Sequence, residues 1–296
     1  MTDEFRTVRD VFRHAVSAFR RADIAFGHGA ADAVDEAAFI VLEALSLPID
    51  DINPWLAARL TREERARILA LVAARVETRK PAAYLLGRAY QMGFPFHVDE
   101  RVIVPRSFIG ELLASEDALP LVPDADAVGS VLDLCTGSGA LAVIAAHAFP
   151  YAEIDAVDIS ADALEVARIN VAMHGLEGRV ALHHGDLFQP VKTKRYDLIV
   201  TNPPYVDAEA MAGLPPEFRA EPALALAGGD DGLDIVRRIL ADAPKHLTKR
   251  GALVCEIGRG RDILEADYPE LEFLWADTEE SEGEVFALAA EDFAKS

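Results

Sequence analysis

The chain has 296 residues, 51% of them hydrophobic, a formal net charge of −21 and only two cysteines, Cys135 and Cys255. That length suits one large domain with a smaller one, and the two cysteines, in apolar strand-like runs, allow one disulfide but favour buried free thiols. No apolar stretch approaches the ~18–20 residues of a membrane span, and no basic segment followed by an apolar run opens the chain, so a reducing cytoplasm is the expected compartment, without membrane contact.

In chain order, residues from about 4 to 80 read as helical. Val11, Ala15, Ala18 and Phe19 recur at helical spacing, then Phe39, Leu42, Leu45 and Leu47, then Ile68, Leu71, Val72, Arg75 and Val76 before Pro81. Between residues 59 and 88 stand eight basic and three acidic residues, the basic ones being Arg59, Arg62, Arg65, Arg67, Arg75, Arg79, Lys80 and Arg88. These form either a solvated helix face or a basic patch that meets a partner. Gly87, Gly93 and Pro95 then interrupt apolar-alternating stretches, which predicts a hairpin linker.

From Val131 strands and helices alternate. Val131-Leu132-Asp133-Leu134-Cys135-Thr136-Gly137-Ser138-Gly139 runs from an apolar strand into a glycine turn, and a helical pattern through Ala140, Val143, Ile144 and Phe149 follows. Glycines there let the backbone approach a ligand closely. The stretch Gly137 to Ala142 also fits the dinucleotide fingerprint G-x-G-x-x-A, and Asp158 ends the next apolar run at the spacing of a ribose-binding acid. A nicotinamide dehydrogenase is therefore one reading. Asp133, inside the strand, argues for a cationic or amine-bearing ligand over a pyrophosphate.

Ser160 is read as the N-cap of a helix over Ala161–His174 that Gly175 stops. Strands follow near Val180–His183 and Leu198–Thr201, with His183 and His184 read as a strand end. The second strand runs into Asn202-Pro203-Pro204-Tyr205. Two adjacent prolines supply no backbone N–H, so the chain must leave the sheet with a stiff, extended backbone. Such a turn at a strand's carboxyl end is where open α/β sheets place their sites. Asn202 adds an amide and Tyr205 a flat aromatic face, a combination suited to a planar group that carries –NH₂. Asp207 is read as the start of the following helix. A helix over Asp234–His246 and a strand over Gly251–Ile257 come next, with Glu256 read as a solvent-facing strand end. Leu271–Ala276 and Gly283–Ala289 lie too close in sequence for a crossover helix, so they should pair antiparallel.

Together the glycine turn and Asn202-Pro203-Pro204-Tyr205 resemble the S-adenosylmethionine-dependent methyltransferases with an Asn-Pro-Pro-Tyr motif. Within them the chain is most similar to the protein-glutamine methyltransferases, in the branch acting on the third large-subunit ribosomal protein. Phe26-Gly27-His28-Gly29, Pro81 to Leu85, Val98 to Ser107, Leu214-Pro215-Pro216-Glu217-Phe218-Arg219 and Ala227 to Leu233 carry the likeness over nearly the whole chain. The sister branch, which modifies release factors, usually has proline at the position of Ser107 and glycine at that of Cys135.

The resemblance implies an α/β fold: a seven-stranded Rossmann-like methyltransferase sheet, mostly parallel, closed by an antiparallel hairpin. A helical substrate-recognition domain (residues 1–84), a β-hairpin linker (85–106) and a catalytic domain (107–296) are expected. Asp133, Cys135, Thr136, Gly137, Ser138 and Gly139 are expected around the amino-acid end of S-adenosylmethionine, with Asp133 near its ammonium. Asp158 is expected to take the ribose hydroxyls, Asp186 and Leu187 the adenine, and Asn202 is expected to contact the donor as well. On the acceptor side Asn202 and the Pro203 carbonyl take the two amide hydrogens and Tyr205 stacks on the amide; Pro204 and Arg106 complete that side.

Charge bears on the partner. Residues 1–106 carry 15 basic and 15 acidic residues, so the whole −21 lies in the remaining 190. That part repels a phosphate backbone and attracts a basic protein, such as a ribosomal protein free or in an assembling particle. Two other readings remain: a methyltransferase acting on adenine in nucleic acid, and a ribosome-assembly factor with a vestigial donor site. No metal-ligand spacing is seen.

Overall fold

A computed structural model describes residues 4–115, 119, 121, 122, 124–278 and 281–294; the ends of the expected outer domains, residues 1–3, 295 and 296, lie outside the described residues, as do 116–118, 120, 123, 279 and 280. The amino-terminal part forms α1 (Val8–Arg21), α2 (Ala33–Ala44) and α3 (Arg62–Thr78). Asp32 caps α2 by accepting from the Val34 and Asp35 N–H groups, and Thr61 and Glu64 cap α3 reciprocally. Val11, Ala15, Phe19, Ile40, Ile68 and Val72 bury the helical stripes against one another in a core of their own.

The basic segment in and around α3 divides in two. Arg59, Arg62 and Arg67 are exposed, whereas Arg75 is fully buried. Its guanidinium donates to Glu36 at 2.6 and 3.3 Å and to the Ala25 and Arg79 carbonyls. Arg79 holds Glu217 at 2.7 Å and donates to the Ala22 and Asp23 carbonyls. These two arginines therefore leave the predicted basic patch, because each is spent on buried internal partners.

After α4 (Ala82–Leu86) comes the hairpin, β1 (Ala89–Gln91) antiparallel to β2 (Phe94–Phe96). Ala89, Phe96, Val98, Val102 and Val104 are buried in the same core as the first helix of the sheet, so this segment is packed rather than free. Ser107 caps α5 (Phe108–Ala114).

The remaining elements are β3 (Ser130–Leu134), α6 (Ala140–Ala148), β4 (Glu153–Asp158), α7 (Ala161–Met173), β5 (Val180–His184), β6 (Tyr196–Thr201), α8 (Ala208–Gly213), α9 (Asp234–His246), β7 (Leu247–Glu256), α10 (Arg261–Asp267), β8 (Leu274–Ala276) and β9 (Val285–Ala289). Their seven-stranded sheet has the order β5-β4-β3-β6-β7-β9-β8, parallel except where β9 runs antiparallel to both neighbours. This is the expected α/β methyltransferase-type sheet with its antiparallel closure. Ser160 and Asp207 cap α7 and α8 as read from the sequence.

Alternate side chains of the strands enter two cores, Val131, Ile154 and Val200 on one face and Leu132, Ile199 and Leu253 on the other. Both faces are covered, which is why the strands read as continuous apolar runs. The chain winds outward from β3 through β4 to β5 and then returns to the other side of β3 with β6. That reversal opens a crevice at the carboxyl ends of β3 and β6.

Candidate functional site

Register brings the motifs together. Leu134 pairs with Thr201 and with Val157, and Thr201 pairs with Cys255. The Thr201 hydroxyl donates to the Leu134 carbonyl at 2.9 Å, tying the two strand ends at the switch point. The residues one step beyond, Cys135, Asp158, Asn202 and Glu256, consequently share one edge of the sheet. Cys135, Gly137, Asp158, Asp186, Leu187, Asn202 and Pro204 line a common cleft there. Its outer walls are Arg101 to Ile103, from the segment after the hairpin, and Pro222 and Leu224, from the loop after β6.

Within the cleft, Asp158 accepts the Gly137 and Ser160 N–H groups, each at 2.8 Å. Burial pushes its carboxyl up, and those two backbone donors oppose the shift. Gly137 has φ +55°, and a Cβ built there would meet no other atom within 4 Å, so its backbone faces open space. Asp186 is held by Arg238 at 2.6 Å, and Leu187 and Ile235 give the cleft an apolar wall.

Other predicted residues support the cleft from outside its lining. The Asp133 carboxylate lies fully buried beneath the glycine turn and accepts from the Thr136 hydroxyl at 2.5 Å and the Ala142 N–H at 3.0 Å. Its second oxygen has no partner among the described residues, and burial pushes its pKa up to about 7. Asp133 is thus placed below the turn rather than in the cleft wall. The Ser138 carbonyl accepts from Asn170, and at Gly139 a Cβ would come within 3.2 Å of Ala167, so α7 approaches the turn closely. Cys135 and Cys255 are both free, and burial raises both thiols.

Asn202 stands at the cleft edge, and no hydrogen bond among the described residues engages its side-chain amide. Pro203 is buried. Behind Tyr205 the backbone is packed without slack: Val206 N–H donates to the Leu226 carbonyl, Gly228 N–H donates to the Val206 carbonyl, and a Cβ on Gly228 would stand 2.7 Å from Tyr205 Cα. The predicted Ala227 to Leu233 segment therefore buttresses the tetrapeptide.

Arg106 is not in the cleft. It makes a two-point ion pair with Glu221 at 2.6 and 2.7 Å, because the buried Glu221 needs a cation and the Val104 N–H to replace water. Glu217, equally buried, accepts the Ala25 N–H and holds Arg79. His28 packs 4.2 Å from Phe218, ring centre to ring centre, and lies 3.7 Å from Glu221; burial depresses its pKa to about 4. The loop after the tetrapeptide is thus clamped to the helical part through Glu217 and to the segment after the hairpin through Glu221.

Sequence reading missed Glu256. It was expected to face solvent, yet it is 1% exposed, because β9 and α5 cover the end of β7. The one available signal was an acid closing an otherwise apolar strand.

A family model described as Methyltransferase small domain matches residues 115–215. A Bradyrhizobium diazoefficiens protein named ribosomal protein uL3 glutamine methyltransferase is 59% identical over 294 residues, covering 98% of this chain and 92% of that one. A Burkholderia pseudomallei protein of the same name is 53% identical over 296 residues, covering 97% and 96%. Among solved structures, ribosomal protein L11 methylase from Lactobacillus delbrueckii subsp. bulgaricus is similar with a TM-score of 0.37 and 25% identity, over 54% of this chain and 67% of that one.

Proposed function

The chain belongs to the ribosomal protein uL3 glutamine methyltransferase family, and from that membership we propose that it methylates the side-chain amide nitrogen of a glutamine in uL3. The observation that carries this reading is the Asn202 amide, which has no hydrogen-bond partner among the described residues and stands at the edge of the cleft, one residue beyond the β3–β6 register. An amide nitrogen is a weak nucleophile because its lone pair is delocalised into the carbonyl. The Asn202 side-chain oxygen and the Pro203 carbonyl accept its two hydrogens, which returns electron density to nitrogen and fixes its direction. Tyr205 covers the amide face. Catalysis then rests on orientation and on contacts that strengthen in the transition state.

The cleft fits S-adenosylmethionine as donor, which when bound supplies an electrophilic methyl on a sulfonium. Gly137 lets its backbone approach the amino-acid end, the Asp158 carboxylate has lone pairs left for ribose hydroxyls, and Leu187 gives an apolar face to adenine. Asp186 borders the same end of the cleft, beside Arg238. Asp133, Thr136, Ser138 and Gly139 act by shaping the turn, and Cys135 by lining it.

Residues 1–84, 85–106 and 107–296 serve as recognition, hairpin and catalytic units in this reading. The acidic sheet part attracts a basic ribosomal protein in the cytoplasm, where ribosomes assemble. Of the exposed basic residues in that segment, Lys80 is paired with Glu100 and Arg88 bonds Tyr90, so Arg59, Arg62 and Arg67 are the ones offered to ribosomal RNA. Reversing all three should slow methylation on the assembling particle at low salt and much less at high salt; equal rates at every salt concentration would remove RNA from the reading. The test of function is mass spectrometry of uL3 after incubation with the chain and S-adenosylmethionine. One methyl on a glutamine is expected, and unmodified uL3 would overturn the proposal.

A further inference from the structure

Tyr205 is held at its tip as well as at its backbone. Its phenol donates to Glu256 Oε1 at 2.9 Å, while Glu256 Oε2 accepts from the Ser107 hydroxyl at 2.7 Å and the Phe108 N–H at 2.9 Å. The ring edge lies so close to Gly258 that a Cβ there would stand 2.8 Å from Tyr205 Cδ2 and 2.9 Å from Cε2. Backbone, ring edge and hydroxyl are therefore all fixed before any substrate arrives.

Glu256 is an expensive way to end a strand. A buried carboxylate loses its hydration, and an apolar side chain would satisfy β7 at no such cost. Burial does push its carboxyl up. Yet three donors, from the cap and first residue of α5 and from the tetrapeptide, converge on its two oxygens, and among the described residues Oε1 accepts from Tyr205 alone. The arrangement makes sense when the ring's orientation is what matters.

We infer that Glu256 is a positioning residue for methyl transfer, holding the Tyr205 ring in the plane that faces the acceptor amide. The inference rests on the function proposed above. Glu256 touches neither donor nor acceptor, so its removal should lower turnover and spare donor binding. Ser107, which caps α5 through the Ile109 N–H at 3.2 Å, fixes the carboxylate in turn.

The experiment uses the full chain with Glu256→Gln, Tyr205→Phe and the double variant, assayed on uL3. Glu256→Gln keeps volume and an acceptor for Ser107 and Phe108, but presents an amide where the phenol donated. Each single variant should lower kcat about tenfold, the scale of one lost hydrogen bond, with the calorimetric Kd for S-adenosylmethionine unchanged. The double variant should be no slower than the slower single one, because both remove the same bond. Losses that multiply, or a Tyr205→Phe chain with wild-type kcat, would overturn the inference.

A substrate-free readout separates the two claims. With tyrosines labelled at the phenol carbon, the NMR resonance lost in Tyr205→Phe should shift in Glu256→Gln. An unmoved resonance sinks the positioning role even if uL3 is methylated. Wild-type chain that leaves uL3 unmodified sinks the function instead.

Discussion

Replacing Arg75 with methionine should destabilise the chain severely, although the sequence places it among arginines that cost almost nothing to remove. The side chain is fully buried, and Glu36, its partner at 2.6 Å, is 2% exposed. Arg75→Met leaves that carboxylate buried without a cation and strips donors from the Ala25 and Arg79 carbonyls. Breaking such a pair from one side costs about 3–5 kcal/mol, a large share of the roughly 5–15 kcal/mol that holds a protein folded. For a protein of this size that lowers the melting temperature by roughly 6–20 °C. Urea unfolding followed by circular dichroism measures it directly. Adding Glu36→Met should recover most of the loss, since neither charge then remains buried. Arg62→Met and Arg67→Met, exposed on the same helix, should stay within about 0.5 kcal/mol of wild type. An Arg75→Met chain within 1 kcal/mol of wild type, or a double variant no better than the single, would show that the buried pair is not what joins these helices.

Asn202→Ala should lower kcat by about 100-fold or more, as loss of alignment does, with the donor Kd unchanged by calorimetry; a rate within a few-fold of wild type rules out the orienting role. Asp158→Ala should weaken S-adenosylmethionine binding by about 1.5–3 kcal/mol for the lost charged acceptor, and unchanged affinity would move the ribose elsewhere. His28 should make stability depend on pH. Its folded pKa, about 4, lies below the ordinary 6.5, so the unfolded chain binds the extra proton between those values. Stability is then full above pH 6.5 and falls as pH drops through that window, by at most about 3 kcal/mol at ~1.4 kcal/mol per unit. His28→Gln should flatten this part of the profile, and an unchanged profile would refute the assignment.

Local signals were the legible ones. Ser160 and Asp207 announce helix starts by residue type, and both cap as read. The short gap before the last strand dictated an antiparallel pair. The glycine turn and the tetrapeptide were visible because each follows an apolar strand, and a parallel sheet sends both to one edge. Long-range pairing was not legible. Arg75 reads as one of a basic patch and Arg106 as an acceptor-side residue until the fold brings Glu36 and Glu221 to them. Asp133 was expected beside a ligand, but its place is decided by the Ala142 N–H at the start of α6. Glu256 was misread for a related reason: its three donors come from residues 107, 108 and 205, none within reach along the chain.

The buried acids that sequence reading missed share a location that explains why they are there. Glu217 and Glu221 lie in the loop that follows the tetrapeptide, and Glu256 stands behind it. Each costs desolvation energy that an apolar residue would avoid, so none is present for stability alone. What ion pairs and hydrogen-bonded carboxylates supply, and apolar packing does not, is a specified direction. Glu217 and Glu221 fix where the loop runs relative to α3 and to the segment after the hairpin, and that loop carries Leu224 to the cleft. Glu256 fixes how Tyr205 points. A reaction that must aim the lone pair of an unreactive amide depends on small displacements, where a misplacement of about 1 Å costs about a hundredfold in rate. Conformational precision around four residues therefore accounts for buried charge that the fold, judged only as a fold, would do better without.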